Sequence, residues 1–409
     1  MNQPADTIAK REIKMNDIVQ RISLQERRYV QDVLDSAFKS SSGAKYMTKL
    51  ESMFSEKFGT KYAISFVNGT ATMHAALEAA GIGPGDEVIV PPLTMASTSL
   101  AVLHSNATPV FADINPDTFL IDAKSIEKLI TERTKAIITV ALYGLSPDMK
   151  AILDIAATHH LLVIEDNAQA FLSYYNGKLV GTFGHCASFS FQSSKHMTSG
   201  EGGIVITDDE EYAVKIRKFA GLGYKTLSSR KAKITKEEIQ DPGFERHDCL
   251  GWNYRMPEIC CAVALGQLEH IDQLVEIRVR SADILRKAVG SCSWLIPQRI
   301  PENCKSSYWS FVCKLDINRV SWGNFRKKFM EYGGHAFYGA WQLTYLEPLF
   351  LKRLFGHREK FIGREYAQGI CPVAESVQPR LVQFKTNYWN IEEAFSQAES
   401  LRTTIQYFD

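Results

Sequence analysis

Short apolar, β-branched runs alternate with stretches of helical periodicity between about residue 60 and residue 210. The runs are EVIVPP (87–92), PVFADI (109–114), KAIITVALYG (135–144), LLVIED (161–166), CASFSF (186–191) and GIVITD (203–208). Strands that are apolar throughout and separated by helices predict a mostly parallel sheet covered by helices on both faces. Ligands of such sheets bind beside the carboxyl ends of the strands. We therefore expect functional residues directly after these runs.

The pattern changes in the second half of the chain. A continuous amphipathic stretch starting at Pro257 and reaching Val289 predicts one long helix. Scattered strands and helices follow it and predict a smaller α+β domain. We expect an N-terminal segment at 1–25, partly flexible, a large α/β domain at 26–270 and the small domain at 271–409. The charged stretch 222–250 predicts a long excursion over the surface or over an active site.

Composition excludes several classes of protein. The chain has 409 residues, 45% of them hydrophobic, and a formal net charge of +1. These values argue against extended disorder, and they give no electrostatic reason to bind nucleic acid or an anionic membrane. There is no signal-peptide pattern and no run of about 18 uncharged apolar residues. The eight cysteines include no CxxC pair, so no metal site is predicted. We expect a cytoplasmic protein without nucleic-acid or membrane partners.

A first candidate site lies at the start of a predicted helix. The segment VNGTATMHAALEAAG (67–81) places Asn68, Gly69 and Thr70 between an apolar run and that helix. Glycine lets an anion approach the backbone, and the first helical amides can hold a phosphate together with the Thr70 hydroxyl. An ordinary helix cap would have the same sequence.

Two ionisable residues follow apolar strands. Asp166 ends a strand in VIEDNAQA (163–170), where a buried carboxylate needs a partner. Lys195 follows another strand in SFSFQSSKHMTSG (188–200). A desolvated lysine has a lowered pKa and is a competent nucleophile toward a carbonyl. Taken singly, each has an ordinary explanation. Asp166 could be a turn residue at the end of a strand, and Lys195 could be a surface lysine. Together with the phosphate site, they are the parts that a pyridoxal phosphate enzyme needs.

The sequence resembles the DegT/DnrJ/EryC1/StrS family, the sugar aminotransferases among the pyridoxal phosphate enzymes of the aspartate aminotransferase fold (fold type I). The resemblance extends from residue 40 to residue 377. Its markers are NGTAT, GIGPGDEVIVPPLT, PVFADINPDTF, TKAIITVALYG, VIEDNAQA, SFSFQSSK, GEGGIVITDD and GWNYRMPEICCAVALGQL. The resemblance implies a large, mostly parallel sheet domain with a smaller C-terminal α+β domain, and pyridoxal 5'-phosphate as cofactor.

The resemblance also implies roles for single residues. Lys195 would be the catalytic residue that binds the cofactor covalently and later moves a proton. Asp166 would pair with the pyridine nitrogen, and Gln169 would meet the 3-hydroxyl side of the ring. The phosphate would be held by three further residues, namely Thr70, Ala71 and Ser190.

Other implied positions lie at the edges of the site. Asn253, or Arg255 beside it, would reach the phosphate of a neighbouring subunit in a homodimer with shared sites. Ser41 and Ser42 would line the substrate side. Met95 would cover the cofactor ring where the family usually has an aromatic residue, and Ala141 stands where a histidine is frequent.

The resemblance implies an aminotransferase that takes its amino group from L-glutamate or L-glutamine. The acceptor would be a keto-sugar, first a nucleotide-linked ketohexose and second an uncoupled keto-cyclitol, in amino-sugar or surface-polysaccharide biosynthesis. Two alternatives stay open. Related deoxysugar dehydratases carry histidine in place of the lysine, and His196 is adjacent to Lys195. A non-enzymatic relative acting as a regulator is the other alternative, and it would not need Lys195, Asp166, Gln169 and Ser190, which are all present here.

Overall fold

The computed structural model describes residues 17–38 and 45–409. Within these ranges the strands are β1 (Tyr62–Phe66), β2 (Glu87–Val90), β3 (Thr108–Phe111), β4 (Thr134–Val140), β5 (Leu162–Asp166), β6 (Tyr174–Tyr175), β7 (Lys178–Leu179), β8 (Cys186–Ser190), β9 (Gly203–Thr207), β10 (Leu295–Pro297), β11 (Cys304–Lys305), β12 (Ser310–Leu315), β13 (Tyr338–Gly339) and β14 (Leu381–Lys385).

The helices of the same ranges are α1 (Leu24–Asp35), α2 (Lys45–Phe58), α3 (Gly69–Ala79), α4 (Ser97–His104), α5 (Ala123–Leu129), α6 (Met149–Thr158), α7 (Glu210–Ala220), α8 (Lys236–Gln240), α9 (Glu258–Glu269), α10 (Ile271–Val289), α11 (Trp322–Glu331), α12 (Pro348–Leu351), α13 (Pro372–Val377) and α14 (Ile391–Phe408).

A seven-stranded sheet in the order β1-β9-β8-β5-β4-β2-β3 forms the centre of the molecule. Its pairs from β8 through β5, β4 and β2 to β3 are parallel, and β9 runs antiparallel to both of its neighbours. The predicted α/β class with a mostly parallel large sheet is therefore confirmed. Each apolar run of the sequence analysis forms one strand of this sheet.

Helices cover both faces of the sheet. Side chains alternate between the faces along each strand, so that Ile64 packs into one core and Ala63 into the other. The first core includes apolar residues of α3, α4 and α6, and the second includes those of α2 and α9. Because helices cover both faces, ligands can reach this sheet at the ends of its strands.

The amphipathic stretch after Pro257 forms two helices and not the single helix predicted. The break lies at His270, between α9 and α10. The His270 Nδ1 atom hydrogen-bonds at 2.7 Å to the carbonyl of Gly266, which would otherwise accept the backbone amide of residue 270. A local side-chain bond thus replaces one helical bond, although the apolar periodicity continues across it.

The C-terminal part contains a second sheet, in the order β10-β12-β14-β13, whose pairs are antiparallel. Its core is rich in aromatic residues, including Phe311, Phe325 and Phe384, and also takes in the second half of α10. The first half of α10 packs into the core of the large sheet. Because one helix belongs to both cores, the boundary between residues 270 and 271 stays a prediction.

The described part of the N-terminal segment is attached to the C-terminal part. The Val19 amide donates to the Trp389 carbonyl at 2.8 Å, and the Ile391 amide donates to the Asp17 carbonyl at 2.9 Å.

Across the described ranges, the helices are all too short or too polar to cross a membrane.

Candidate active site

A cavity of about 600 Å³ opens at the carboxyl ends of the large sheet. Residues at the ends of β1, β2, β4, β5 and β8, or directly after them, line it, as expected for a parallel sheet covered on both faces. The lining includes six of the predicted site residues, namely Thr70, Met95, Asp166, Gln169, Ser190 and Lys195. The volume lies within the usual range of about 300–1,000 Å³ for small-molecule sites.

One end of the cavity is the N-terminus of α3. Asn68 caps this helix, its Oδ1 accepting the Ala71 amide at 2.8 Å, and no acidic residue lies in the first turn. The positive end of the helix dipole therefore faces the cavity without a neutralising carboxylate. Gly69 and Thr70 begin the helix and line the cavity beside the Ser190 hydroxyl.

This end of the cavity is so closely packed that two positions, Gly69 and Gly203, have no room for a side chain. A Cβ on Gly69 would lie 2.9 Å from the Ser190 Cβ, and one on Gly203 would lie 2.8 Å from the Asn68 carbonyl. The start of α3 thus packs closely against the end of β8 and the start of β9. The result is a small concave surface of amides and hydroxyls that suits a phosphate group.

Asp166 is the last residue of β5 and is 3% exposed. Its Oδ2 accepts from the Thr98 hydroxyl at 2.9 Å, and its Oδ1 accepts from the Ala168 amide at 3.1 Å. Burial raises the pKa of this carboxyl, whereas the two hydrogen bonds and the positive charge of Lys195 lower it. The arrangement supplies a buried carboxylate that a protonated ring nitrogen can neutralise.

Gln169 lies one turn after Asp166 and is oriented by the backbone. Its Oε1 accepts from the Tyr143 amide at 2.8 Å, which leaves the side-chain NH₂ as the donor available to the cavity. Tyr143 adopts a φ of 62°, an uncommon conformation for a bulky residue. Such strained residues are concentrated at functional sites.

Lys195 is partly buried within the cavity, five residues after the end of β8. Burial lowers its pKa to about 8, and Asp166 opposes that shift. The Nζ atom lies 5.1 Å from the ring centroid of Trp309. A lysine with a pKa near neutrality carries a useful fraction of free amine, as a nucleophile toward a carbonyl requires.

His196 does not line the cavity. It is completely buried, and its Nε2 lies 2.9 Å from the Ser307 carbonyl oxygen. Burial also lowers its pKa well below the ordinary value. The residue that the segment presents to the cavity is therefore Lys195, which disfavours the dehydratase alternative.

Two tryptophans from the C-terminal part complete the wall. The rings of Trp309 and Trp341 lie 6.3 Å apart at an angle of 38°, and the Trp309 indole donates to the Ser194 carbonyl at 2.9 Å. Met95 lies in the same cavity and is 51% exposed. The open part of the cavity thus presents apolar surfaces above a polar base.

The remaining predicted residues lie outside the cavity. The Ala71 amide is used by the Asn68 cap. Asn253 is exposed, and its Oδ1 accepts from the Arg255 guanidinium at 3.0 Å. Arg255 itself pairs through its backbone with Phe66, two residues before Asn68. Ser41 and Ser42 fall outside the described residues.

Sequence reasoning did not identify Thr98, Tyr143 or Trp309. Thr98 and Tyr143 act through neighbours, one by a hydroxyl toward Asp166 and one by a backbone amide toward Gln169. Trp309 comes from a distant part of the chain, next to β12. Local sequence patterns give no signal for contacts of this kind. The one available signal was the position of Trp309, a large aromatic residue directly before a strand.

The residues of the cavity fit pyridoxal phosphate. The amide-and-hydroxyl surface at Gly69 suits the phosphate, buried Asp166 suits the pyridine nitrogen, and the Gln169 NH₂ suits a ring hydroxyl. Lys195 supplies an amine with a lowered pKa in the same cavity. The chemistry of this donor set matches each polar part of the cofactor.

Comparisons with known proteins agree with this chemistry. The DegT/DnrJ/EryC1/StrS aminotransferase family matches residues 20–388. A GDP-perosamine synthase of Escherichia coli O157:H7 is 41% identical over 267 residues, which cover 65% of this chain and 69% of that relative. A putative L-glutamine:3-amino-2,3-dideoxy-scyllo-inosose aminotransferase of Streptoalloteichus tenebrarius is 34% identical over 335 residues, 80% of this chain and 76% of that relative.

Among solved structures, the aminotransferase from Psychrobacter cryohalolentis has a TM-score of 0.83 and 27% identity, covering 94% of this chain and 98% of that chain. The predicted fold type, cofactor and class of enzyme are confirmed. The chain belongs to the DegT/DnrJ/EryC1/StrS aminotransferase family and is a pyridoxal-phosphate-dependent aminotransferase of fold type I.

Proposed function

We propose that this aminotransferase moves an amino group from L-glutamate or L-glutamine to the ketone of a nucleotide-linked ketohexose, in amino-sugar biosynthesis. The observation that carries the proposal is the single cavity that joins Lys195, Asp166 and the α3 N-terminus to a wall formed by two tryptophans. One part of the cavity suits the cofactor. The other part is left for the substrates.

The chain's own residues divide the work of the reaction. When bound, pyridoxal phosphate supplies an electrophilic carbonyl carbon and an electron-withdrawing ring. The α3 N-terminus and Ser190 hold the phosphate, and Asp166 keeps the ring nitrogen protonated. Lys195 would bind the cofactor covalently, and its amine would be the general base and acid that moves the proton.

The tryptophan wall suits a sugar nucleotide. Indole rings pack against apolar faces of rings and stack on nucleobases, and Trp341 is 41% exposed although it is a large aromatic residue. Glu201, Gln192 and Thr94 line the same cavity and can accept or donate hydrogen bonds to hydroxyl groups. The relative from Escherichia coli, named a GDP-perosamine synthase, supports a nucleotide-linked acceptor.

A keto-cyclitol without a nucleotide is the second candidate acceptor. It is favoured by the relative named a putative L-glutamine:3-amino-2,3-dideoxy-scyllo-inosose aminotransferase, whose match covers more of this chain than the perosamine synthase match does. That name also favours L-glutamine as the donor. Both acceptors present a ketone on a polyhydroxylated six-membered ring.

The enzyme is further proposed to work as a homodimer with shared sites. Asn253 is exposed beside two large apolar side chains, with Leu250 84% exposed and Trp252 48% exposed. Apolar side chains exposed together mark interaction surfaces. Under this proposal a second subunit covers this surface, and Asn253 or Arg255 of one chain reaches the phosphate end of the other.

The test uses the two half-reactions separately. The loaded enzyme is mixed with L-glutamate or with L-glutamine, and loss of the visible cofactor absorbance shows which compound donates. A panel of nucleotide-linked ketohexoses and keto-cyclitols is then added to the aminated enzyme, and return of the absorbance with an aminated product identifies the acceptor. Absence of amination with every keto-sugar would refute the proposed substrate class.

A further inference from the structure

Four consecutive backbone carbonyls around Lys195 are held by two arginines. Arg21 donates to the carbonyls of Ser193 at 3.1 Å, Lys195 at 3.0 Å and His196 at 2.8 Å. Arg278 donates to the carbonyls of Ser194 at 3.0 Å and Lys195 at 3.2 Å. The Lys195 carbonyl thus accepts from both guanidinium groups. We call residues 193–196 the lysine segment.

The two arginines come from opposite parts of the chain. Arg21 precedes α1, whereas Arg278 lies in the middle of α10. Both guanidinium groups lie near the ring of Trp389, with their Cζ atoms 4.8 Å and 5.7 Å from its centroid. The lysine segment is therefore attached to the N-terminal segment and to the helix that joins both cores.

Arg278 also holds the tryptophan wall. Its guanidinium donates to the Trp309 carbonyl at 3.0 Å, while the Trp309 indole donates to the Ser194 carbonyl at 2.9 Å. One buried side chain therefore fixes both the segment that carries the reactive amine and the aromatic ring above that amine. Such contacts set the orientation of a reacting group more tightly than a surface loop can.

Arg278 is a buried charge without a neutralising partner. It is 2% exposed, and in the described part of the chain its hydrogen bonds go to carbonyls and to the Thr386 hydroxyl, with no carboxylate at ion-pair distance. Removing an arginine from water is costly, and hydrogen bonds to carbonyls leave its full positive charge in place. That charge acts on the neighbouring lysine amine.

We propose that Arg278 is a positioning residue for Lys195, holding its peptide segment together with Arg21 and keeping an uncompensated positive charge beside its amine. The proposal rests on the role of Lys195 given under Proposed function. Arg21 contributes to the positioning part of this role through its hydrogen bonds to the lysine segment. Arg278 contributes to the positioning part in the same way and to the electrostatic part through its charge.

The charges that face Lys195 come from three elements. Asp166 at the end of β5 and Glu201 before β9 favour the ammonium form, whereas Arg278 on α10 disfavours it. The Trp309 ring also favours the ammonium form, through its negative face. Loss of the Arg278 charge would leave the three groups that favour the ammonium form unopposed by a neighbouring cation, so the pKa of Lys195 must rise.

The experiment measures the Lys195 amine in the protein without cofactor or substrate. Acetic anhydride labelling is followed as a function of pH, and the extent of Lys195 acetylation is read by peptide mass spectrometry. Arg278→Gln removes the charge, and Arg278→Lys keeps it. Arg21→Gln removes the carbonyl contacts of Arg21, whose charge is not among those that shift the pKa of Lys195. Arg286→Gln is the matched control, because Arg286 lies on the same helix and bonds to the Tyr308 hydroxyl instead of the lysine segment.

The labelling midpoint is expected to rise by about one pH unit in Arg278→Gln and to return close to wild type in Arg278→Lys. Arg21→Gln and Arg286→Gln are expected to leave it unchanged. Hydrogen exchange of the peptide spanning residues 192–197 is expected to become about tenfold faster in Arg21→Gln and in Arg278→Lys, but not in Arg286→Gln.

An unchanged midpoint in folded Arg278→Gln would overturn the electrostatic part, and unchanged exchange in Arg21→Gln and Arg278→Lys would overturn the positioning part. If Arg278→Gln fails to fold, Arg278→Lys and Arg21→Gln still decide the positioning claim through exchange. The readout needs no turnover. A wrong assignment of the reaction would appear as inactive wild-type enzyme, with the labelling results unaffected.

Discussion

Burial acts in opposite directions on the two ionisable groups of the site. It raises the pKa of the Asp166 carboxyl and lowers that of the Lys195 amine to about 8. Each shift favours the neutral form of its group, while the attraction between them favours both charged forms. A protonated pyridine ring would give Asp166 a second cation. Cofactor binding is therefore expected to stabilise the carboxylate at neutral pH.

The substitution Asp166→Asn is predicted to retain cofactor and to lose most activity. The amide keeps the shape of the side chain but cannot stabilise a protonated ring nitrogen. Loss of one such electrostatic group costs about 2–4 kcal/mol in the barrier, or roughly 30- to 1,000-fold in kcat. Cofactor content by absorbance and steady-state kinetics measure the two effects. Near-normal turnover with full cofactor would contradict the role of Asp166.

Thr98→Val is predicted to make the activity more sensitive to acid. Thr98 donates to Asp166 Oδ2 at 2.9 Å, and this bond lowers the pKa of the carboxyl. Without it the carboxyl pKa rises, so the carboxylate is lost at a higher pH as acid is added. The acid limb of kcat/KM should move up by about 0.5–1 unit.

The control for that variant is Ser99→Ala. Ser99 is the next residue on α4, is also buried, and its hydroxyl has no hydrogen-bond partner in the described part of the chain. Its pH profile should match that of wild type. Equal profiles for Thr98→Val and Ser99→Ala would show that the Thr98 bond does not tune Asp166.

Residues at strand ends could be predicted from the sequence, because in a parallel sheet those ends share one edge. Asp166, Ser190 and Lys195 line the cavity for that reason. Thr98 and Arg278 could not be predicted from the sequence, because they reach the site from helices that are distant in sequence. Their roles depend on packing between elements, which local periodicity does not encode.

At the scale of elements, the meeting of α3 with β8 and β9 forms the phosphate end. Gly69→Ala is predicted to weaken cofactor affinity by about 10- to 100-fold while leaving the fold intact, since the new Cβ would lie 2.9 Å from the Ser190 Cβ. Alanine is a better helix former than glycine, so helix loss would not explain the effect. Equilibrium titration of cofactor and thermal unfolding of the cofactor-free protein measure the two quantities.

Gly83→Ala is the matched control for Gly69→Ala. A Cβ there would make an ordinary contact, 3.7 Å from the Ser105 carbonyl oxygen, away from the cavity. Its cofactor affinity should equal that of wild type. Wild-type affinity in Gly69→Ala would instead show that the phosphate does not bind at the start of α3.

The strands of the large sheet were predictable because each is an apolar run of its own. The break between α9 and α10 was not. The apolar residues keep helical spacing through His270, and a single side-chain bond to the Gly266 carbonyl ends the first helix. Periodicity reports which face is buried, and it does not report the hydrogen bonds that end a helix.

At the scale of the whole molecule, the proposed shared site makes a prediction about mixed dimers. Lys195→Ala and the double variant Asn253→Ala, Arg255→Ala should each be inactive or weak alone. Mixed under conditions of subunit exchange, half of the dimers would contain one chain of each kind, with one complete site. Activity should recover to about a quarter of the wild-type value.

The control mixes Lys195→Ala with Asp166→Asn. Asp166 and Lys195 line the same cavity of one chain, so no mixed dimer would contain a complete site. The activity of this mixture should stay at the residual level that its Asp166→Asn chains show on their own. Recovery in the control, or no recovery in the first mixture despite demonstrated exchange, would refute the shared site.

The central claim is that Lys195 is the residue that binds the cofactor covalently. Borohydride reduction of the loaded wild-type enzyme, followed by peptide mapping, tests it most directly, because reduction makes the link between amine and cofactor permanent. We predict a single phosphopyridoxyl group on Lys195, and no such group in an inactive Lys195→Ala variant. A modified lysine elsewhere in the chain, or an unmodified Lys195 in a fully active enzyme, would contradict the claim.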